Sequence, residues 1–167
     1  MSTLFGDVNG LKGNVACHRF RQVLILNTQS IEQFSLTPGE LKENVLVDCD
    51  SLHDLPSGTE LLMGTLRVRL TFHCEPCKKV STAVDPRSIV HRRGYLGTIL
   101  NAGEVSVGDV VVSRGMVFEE IPYHTVERVR WFLDRHPGTI AARELVSAIA
   151  LRKSYCRVIP HYLKKLG

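Results

Sequence analysis

Hydrophobic residues between Phe20 and about Val112 occur in short groups separated by polar residues and turn formers. The groups are FRQVLIL, NVLVDC, ELLMG, LRVRLTF, YLGTIL and VSVGDVVV. Between them stand Pro38-Gly39, Pro56-Ser57-Gly58 and Ala102-Gly103, which are residue types that favour turns. Groups of this length, without alternating helical patterns, predict a compact, mainly β body that is largely antiparallel and forms a barrel or sandwich.

One predicted strand, residues 65–72, alternates regularly between apolar and polar positions. Its apolar positions are Leu66, Val68, Leu70 and Phe72, and its polar positions are Arg67, Arg69 and Thr71. Because successive side chains of a strand point to opposite faces, we expect the first set in the core and the second set facing water or a ligand.

The pattern changes to helical spacing after Pro122. TVERVRWFLDRH and TIAARELVSAIAL are amphipathic and are separated by Pro137-Gly138, and YCRVIPHYLKKLG, with Pro160 near its start, predicts a third helix. We therefore predict a β domain over residues 1–120 and a helical extension over 121–167, α+β overall. The apolar positions of the extension should pack its helices together and onto the body, or contact a second copy in a homodimer: Val126, Val129, Leu133, Leu145 and Ile149.

Composition narrows the class of protein. The chain has 167 residues, 44% hydrophobic and 23% charged, as in an ordinary globular domain. It has no apolar run near the roughly 20 residues that span a membrane and no leader-like N-terminus, so we expect a cytoplasmic protein. Five scattered cysteines do not resemble a secreted disulfide framework. The net charge of +4 suits a phosphate-bearing ligand without requiring one.

The stretch HCEPCKK, residues 73–79, carries the chemistry of greatest interest. A structural zinc site needs four ligands, and no second cysteine pair accompanies Cys74 and Cys77. A thioredoxin-type pair opens a helix, whereas this one ends a predicted strand. Cys74 is expected to be a small buried hydrophobe. Cys77 lies beyond the strand beside Lys78 and Lys79, whose charge favours the thiolate that binds soft metals or attacks as a nucleophile.

The basic end of the helical extension raises a DNA-binding alternative. The middle turn is not the glycine-bearing three- or four-residue turn of a helix-turn-helix motif, and Glu127, Asp134 and Glu144 dilute the basic face. These two observations argue against nucleic acid as the partner.

Three stretches, taken in order, resemble the MOSC domain, named for the C-terminal part of molybdenum cofactor sulfurases. They are LTPGELKENVLVD, LPSGTELLMGTLRVRLTFHCEPCKKV and RRGYLGTILNAGEVSVGDVVV. The resemblance, to a standalone bacterial-type member, runs from about Gly6 to Val112 and implies a β-barrel that binds the molybdenum cofactor, molybdopterin. HCEPCKKVSTAVDP is also similar to the mitochondrial amidoxime-reducing component, a molybdenum enzyme. The matching cysteine is Cys77, which the resemblance makes the molybdenum ligand or a persulfide carrier.

The same resemblance implies further cofactor contacts. Asn44 is a candidate contact to the pterin, and Lys42 stands where the reductase group tends to have arginine. The resemblance and the positive charge of the segments indicate Arg21, Arg92, Arg93 and Lys78 as candidates for holding the cofactor and its phosphate. Gln22, Cys17 and His18 are neighbours of this predicted site, and Asp85 before Pro86 is expected to be a turn residue.

Three functions follow as expectations. In the first, Cys77 holds molybdenum and an N-hydroxylated compound is reduced with electrons from a partner protein, since no flavin, haem or nicotinamide motif is visible. In the second, Cys77 carries a persulfide received from a donor protein, without redox turnover. In the third, the helical extension makes the protein an adaptor for a protein or DNA partner.

Overall fold

The structure is a computed structural model, and it describes residues 3–14 and 18–166. The chain divides into two compact units, Met1–Glu120 and Ile121–Gly167. Each unit has its own hydrophobic core, and each is described by itself.

The described part of the first unit contains two β-sheets. Its strands are β1 (Thr3–Asp7), β2 (Gly10–Leu11), β3 (Val23–Asn27), β4 (Val45–Val47), β5 (Thr59–Met63), β6 (Leu66–His73), β7 (Tyr95–Ile99), β8 (Gly103–Ser106) and β9 (Val111–Met116). A small sheet has the order β2-β1-β8, and a six-stranded sheet has the order β4-β3-β7-β6-β5-β9. Aliphatic side chains from β3, β5, β6 and β7 form the core between them, so the unit is a curled half-barrel.

The prediction of a mainly β body with helices after it is confirmed, with three refinements. VSVGDVVV is two strands, β8 and β9, because Gly108 and Asp109 form a turn inside it. The hairpin β1–β2 precedes the first predicted strand. β3 and β4 pair in parallel, which requires a crossover, and helix α1 (Thr28–Gln33) lies in it.

A β-bulge changes which side of the sheet the last residues of β6 face. Leu70 pairs with Gly97 and His73 pairs with Tyr95, so three residues of β6 span two of β7. The bulge brings His73 to the Tyr95 side of the sheet. The expectation that Thr71 faces water or a ligand is wrong: Thr71 is fully buried, and its hydroxyl lies 2.8 and 3.0 Å from the carbonyl oxygens of Phe20 and Leu96, which share its hydrogen.

A second apolar cluster lies outside the main core of this unit. Leu26 of β3 packs there with Leu41, Val80 and Ile89, all fully buried. The cluster anchors the loop before β4 and the long loop between β6 and β7 to the same strand. It therefore holds together the segments that contain Lys42, Lys78 and Arg92.

The second unit is a set of short helices. They are α2 (Thr125–Arg135), α3 (Ala142–Ala148) and α4 (Ile159–Leu166), with a 3-10 turn Lys153–Arg157 before the last. Val129, Leu145 and Ile149 belong to its core as expected, together with Phe132, whereas Leu133 and Val126 are only partly buried. Arg128 is fully buried and donates to the carbonyls of Pro122, Tyr123 and Ile149, so it joins the start of α2 to the end of α3. In the described residues, no helix has the length and apolar character needed to cross a bilayer.

Candidate functional site

The two cysteines lie directly beyond the end of β6. The amide of Cys74 donates to the carbonyl of Gly94 at 2.9 Å, so the segment stays paired with the start of β7. Gly94 has φ +95°, and a Cβ there would lie 2.5 Å from the carbonyl oxygen of Ile25. Only glycine allows this close approach of the loop to β3, and the approach positions the cysteine segment.

Cys74 and Cys77 differ in accessibility. Cys74 is 5% exposed, and burial raises the pKa of its thiol to about 11, so it stays protonated at neutral pH. Cys77 is half-buried and precedes the 3-10 turn Lys78–Val80. Cys77 is therefore the more accessible thiol of the pair, and Cys74 fills space as expected.

The Cys74 thiol lies within reach of the charges of two arginines and one glutamate. The charges of Arg93, Glu75 and Arg21 all act on the pKa of Cys74, and so does Cys77. Arg21 contacts both carboxylate oxygens of Glu75, at 2.9 and 2.8 Å, and its guanidinium lies over the ring of Phe72. The structure thus brings two predicted phosphate ligands, Arg21 and Arg93, to the cysteine segment.

Arg93 is the more deeply placed of the two arginines. It is 7% exposed, and its Nη1 donates to the backbone carbonyl of Glu75 at 2.5 Å. Its Nε is buried and has no hydrogen-bond partner among the described residues. A buried N–H without an acceptor is costly, so this guanidinium is suited to an anionic ligand.

Arg92 lies in a different environment from Arg93. Its charge acts on His53 and His73, which belong to a group of rings at the opposite side of the β6 end. The His73 ring lies 5.9 Å from His53, 5.1 Å from His91 and 4.3 Å from Tyr95, between ring centroids. The two adjacent residues Arg92 and Arg93, which the sequence indicated as a pair, therefore lie in two different environments.

His53 is held by polar side chains from the start of α1. Its Nε2 lies 3.1 Å from Asn27 Oδ1 and 3.1 Å from the Ser30 hydroxyl oxygen. Burial lowers the pKa of His53 to about 4, and burial likewise lowers that of His73 to about 4. Both rings are therefore neutral at physiological pH.

The remaining predicted cofactor contacts lie in the loop before β4 and after Cys77. Asn44 Oδ1 accepts from the backbone amide of Leu24 at 2.8 Å, and the backbone amide of Asn44 donates to the Leu24 carbonyl. Asn44 therefore extends the pairing of β3. Lys42 is exposed and has a left-handed backbone, φ 66°. Lys78 is exposed in the turn after Cys77.

Other residues near the predicted site have structural contacts. Gln22 is buried and joins the carbonyl of Val8 to the amide of Ile99. His18 accepts from the amide of Phe20, and Cys17 lies outside the described residues. Asp85 accepts from the amide of Arg87, as expected of a turn residue.

Within residues 3–14 and 18–166, no three His, Cys, Asp or Glu side chains are grouped to hold a metal ion. A metal held by protein ligands alone, such as structural zinc, needs such a group. A metal that arrives with an organic cofactor needs fewer ligands from the chain.

The half-barrel, with a cysteine at the end of its longest strand, defines the class of protein. The family model for the MOSC domain matches residues 12–112. The chain belongs to the MOSC domain family. No curated protein matches it significantly.

Solved structures share the fold at low sequence identity. YiiM from Escherichia coli is 17% identical with a TM-score of 0.58, covering 98% of this chain and 87% of that one. YuaD from Bacillus subtilis is 18% identical with a TM-score of 0.57, covering 66% and 84%. A hypothetical protein, 15% identical, gives a TM-score of 0.64 over 99% and 85%. At these identities the likeness shows the fold alone.

Two features of this region are not predicted from the sequence alone. An acid between two cysteines, Glu75, is a visible signal, but its pairing with Arg21, 54 residues away in sequence, is not. The ring group of His53, His73 and His91 comes from three segments far apart in sequence. Of these three, only His73 lies next to the cysteine pair in sequence.

Proposed function

We propose that this MOSC protein binds the molybdenum cofactor through Cys77 and reduces N-hydroxylated compounds. The observation that carries the proposal is the combination of an accessible thiol and a buried guanidinium with an unused N–H. Cys77 is half-buried, the Nε of Arg93 is buried without a hydrogen-bond partner among the described residues, and the charge of Arg93 acts on the neighbouring Cys74. Soft thiolate suits molybdenum, and guanidinium suits phosphate.

The residues present fit the cofactor in their chemical types. Cys77 would hold the metal, and Arg93 and Arg21 would hold the terminal phosphate of the pterin. Lys78 and Lys42, both exposed, would contribute charge at longer range. Arg92 would contribute its positive charge beside His53 and His73. Asn44 would contact the pterin through its side-chain nitrogen, because its side-chain oxygen accepts from the backbone amide of Leu24.

The cofactor, when bound, supplies a redox-active metal, so that an N-hydroxylated compound gains two electrons and two protons and releases water. Cys77 holds its sulfur at the end of β6, where the pairing of Cys74 with Gly94 limits its movement. Cys74 remains a protonated thiol and does not compete for the metal. A partner protein would deliver the electrons.

Sulfur transfer is the second candidate, and the exposed lysines favour it. Lys78 and Lys79 follow Cys77 directly and are both exposed. A basic surface beside an accessible thiol suits docking of an acidic donor protein that carries a persulfide. In this case Cys77 accepts the terminal sulfur of the donor and the donor leaves as a thiol.

Metal analysis separates the two candidates. The protein is expressed in a host that makes the cofactor, and its molybdenum and pterin contents are measured beside those of Cys77→Ser. We expect stoichiometric molybdenum in the parent and less than a tenth of that in the variant. Molybdenum absent from both would overturn the enzyme proposal, and a persulfide on Cys77 after incubation with a cysteine desulfurase would then support sulfur transfer.

A matched control is Cys49→Ser. Cys49 is also half-buried but lies before the 3-10 turn Asp50–Asp54, away from the end of β6 in sequence. It should retain as much molybdenum as the parent. Equal loss in both variants would mean that general thiol loss or misfolding, and not ligation, explains the result.

A further inference from the structure

Glu75 links both arginines of the candidate site. Its carboxylate contacts Arg21, with one nitrogen 2.9 and 2.8 Å from its two oxygens. Its backbone carbonyl accepts from Arg93 at 2.5 Å. The side chain thus interacts with one guanidinium while the main chain positions the other.

We propose that Glu75 competes with phosphate for Arg21 and thereby sets the anion affinity of the arginine pair. The inference rests on the proposed function, because it concerns the group that would hold the cofactor phosphate. A carboxylate offers guanidinium the same planar pair of acceptors that a phosphate offers. While Glu75 occupies Arg21, an incoming phosphate meets a neutralised guanidinium and a nearby negative charge.

The competition is weak enough to be reversible. The Arg21 and Glu75 side chains are 22% and 33% exposed, and pairs in such partly hydrated positions contribute little free energy. A phosphate with two charges can therefore displace the carboxylate. Glu75 lowers the affinity for phosphate without closing the site.

Arg93 should keep its position when the Glu75 side chain changes. Its bond is to the main chain, which Glu75→Gln leaves intact. Its buried Nε remains available as a donor. Substitution at Glu75 therefore isolates the side-chain competition at Arg21 from the support of Arg93.

The test is binding of inorganic phosphate to the full-length chain, prepared without cofactor, at pH 8 and low ionic strength by calorimetry. We expect Glu75→Gln to bind phosphate three- to tenfold more tightly than the parent. In the Arg21→Gln background, most of that gain should disappear, since the carboxylate then has no Arg21 to occupy. Arg93→Met should weaken phosphate binding in both backgrounds.

Glu104→Gln controls for net charge, because Glu104 is exposed on β8 and changes the charge by the same amount. It should alter phosphate affinity by less than twofold. Equal gains in Glu75→Gln and Glu104→Gln, or an undiminished gain without Arg21, would overturn the inference. So would the absence of phosphate binding by every variant.

The outcome is independent of the metal test. Phosphate binding is measured without molybdenum, whereas the proposed function is tested by molybdenum retention on Cys77. Loss of the Glu75 effect with molybdenum retained would refute only this inference. A Glu75 effect in a protein that retains no molybdenum would support the anion site and refute the enzyme proposal.

Discussion

The two sides of the β6 end accommodate ionisable groups in opposite ways. On the cysteine side, the guanidinium of Arg21 pairs with the carboxylate of Glu75. On the histidine side, His53 and His73 give up their charge, since burial lowers the pKa of both to about 4. One strand end thus has a charged environment on one side and a neutral aromatic one on the other.

The β-bulge in β6 produces this difference. Without the extra residue, Phe72 and not His73 would pair across from Tyr95. The bulge brings the imidazole to the Tyr95 side and leaves Cys74 in the environment of the arginines. Anion binding should therefore depend on the cysteine side, with Arg21 and Arg93, and stability at low pH should depend on the histidine side, with His53 and His73.

The largest expected effect is on cofactor retention. Arg93→Met removes a buried charged donor, and a hydrogen bond to a charged group contributes about 1.5–3 kcal/mol, so pterin and molybdenum content should fall at least tenfold. His73→Phe, on the histidine side, should keep at least half of the cofactor. Metal and pterin analysis of both variants checks this, and equal losses would refute the division into two sides.

The next effect is a pH dependence of stability. His53 and His73 each have a pKa of about 4 in the folded protein and about 6.5 in the unfolded chain. The unfolded state therefore binds more protons than the folded state between pH 6.5 and 4. The free energy of unfolding should therefore fall as the pH drops through this window, by about 1–2 kcal/mol per histidine after allowance for screening. Above pH 7 these two groups should add no slope.

Denaturant unfolding at pH 7.5 and 5.0 measures this dependence. His73→Phe keeps a ring against Tyr95 and should reduce the difference between the two pH values. His161→Gln is the control, since His161 is exposed on α4, and it should leave the difference unchanged. An unchanged pH difference in His73→Phe would contradict the assignment of the slope to this side.

A smaller effect concerns thiol reactivity on the cysteine side. Burial and a pKa raised to about 11 should protect Cys74 from iodoacetamide at pH 8, whereas half-buried Cys77 should be modified. Peptide mass spectrometry should show at least a tenfold difference in rate between them. Unfolding in denaturant should abolish the difference, and comparable rates in the folded protein would refute the contrast.

The smallest effect is expected at Lys42. Its side chain is exposed, so Lys42→Ala should change phosphate affinity by less than threefold, and added salt should remove the change. Calorimetry at low and moderate ionic strength tests this. A tenfold loss at moderate salt would mean that Lys42 contacts the anion directly.

Prediction from the sequence succeeded where local pattern controls structure. The six apolar groups overlap the strands β3 to β9, and the spacing of Val129 and Leu145 placed two helices whose apolar faces meet. It failed at Thr71, because the segment that contains Phe20 contacts this position, and such a contact is invisible in an alternating pattern. It also missed α1, since a single short helix in a crossover carries little periodicity.

The candidate site divides in the same way. The residues around Cys77 indicated its chemistry, because spacing and neighbouring charge are properties of a single segment. The separation of Arg92 from Arg93 was not predictable, since it depends on how the loop before β7 meets β3 at Gly94. The partners of Arg93 and His53 were not predictable either, because they lie 18 or more residues away in sequence.

By itself, the sequence determined a mainly β body, a helical extension and the cysteine most suited to a soft metal. Periodicity reports which residues must be buried, and residue type reports what each can bind. The tertiary structure alone decided which polar and charged groups contact each other. It pairs the Glu75 carboxylate with Arg21, leaves the Nε of Arg93 without a partner among the described residues and brings together three imidazoles from separate segments. These contacts depend on a bulge and on a loop approach that only packing establishes.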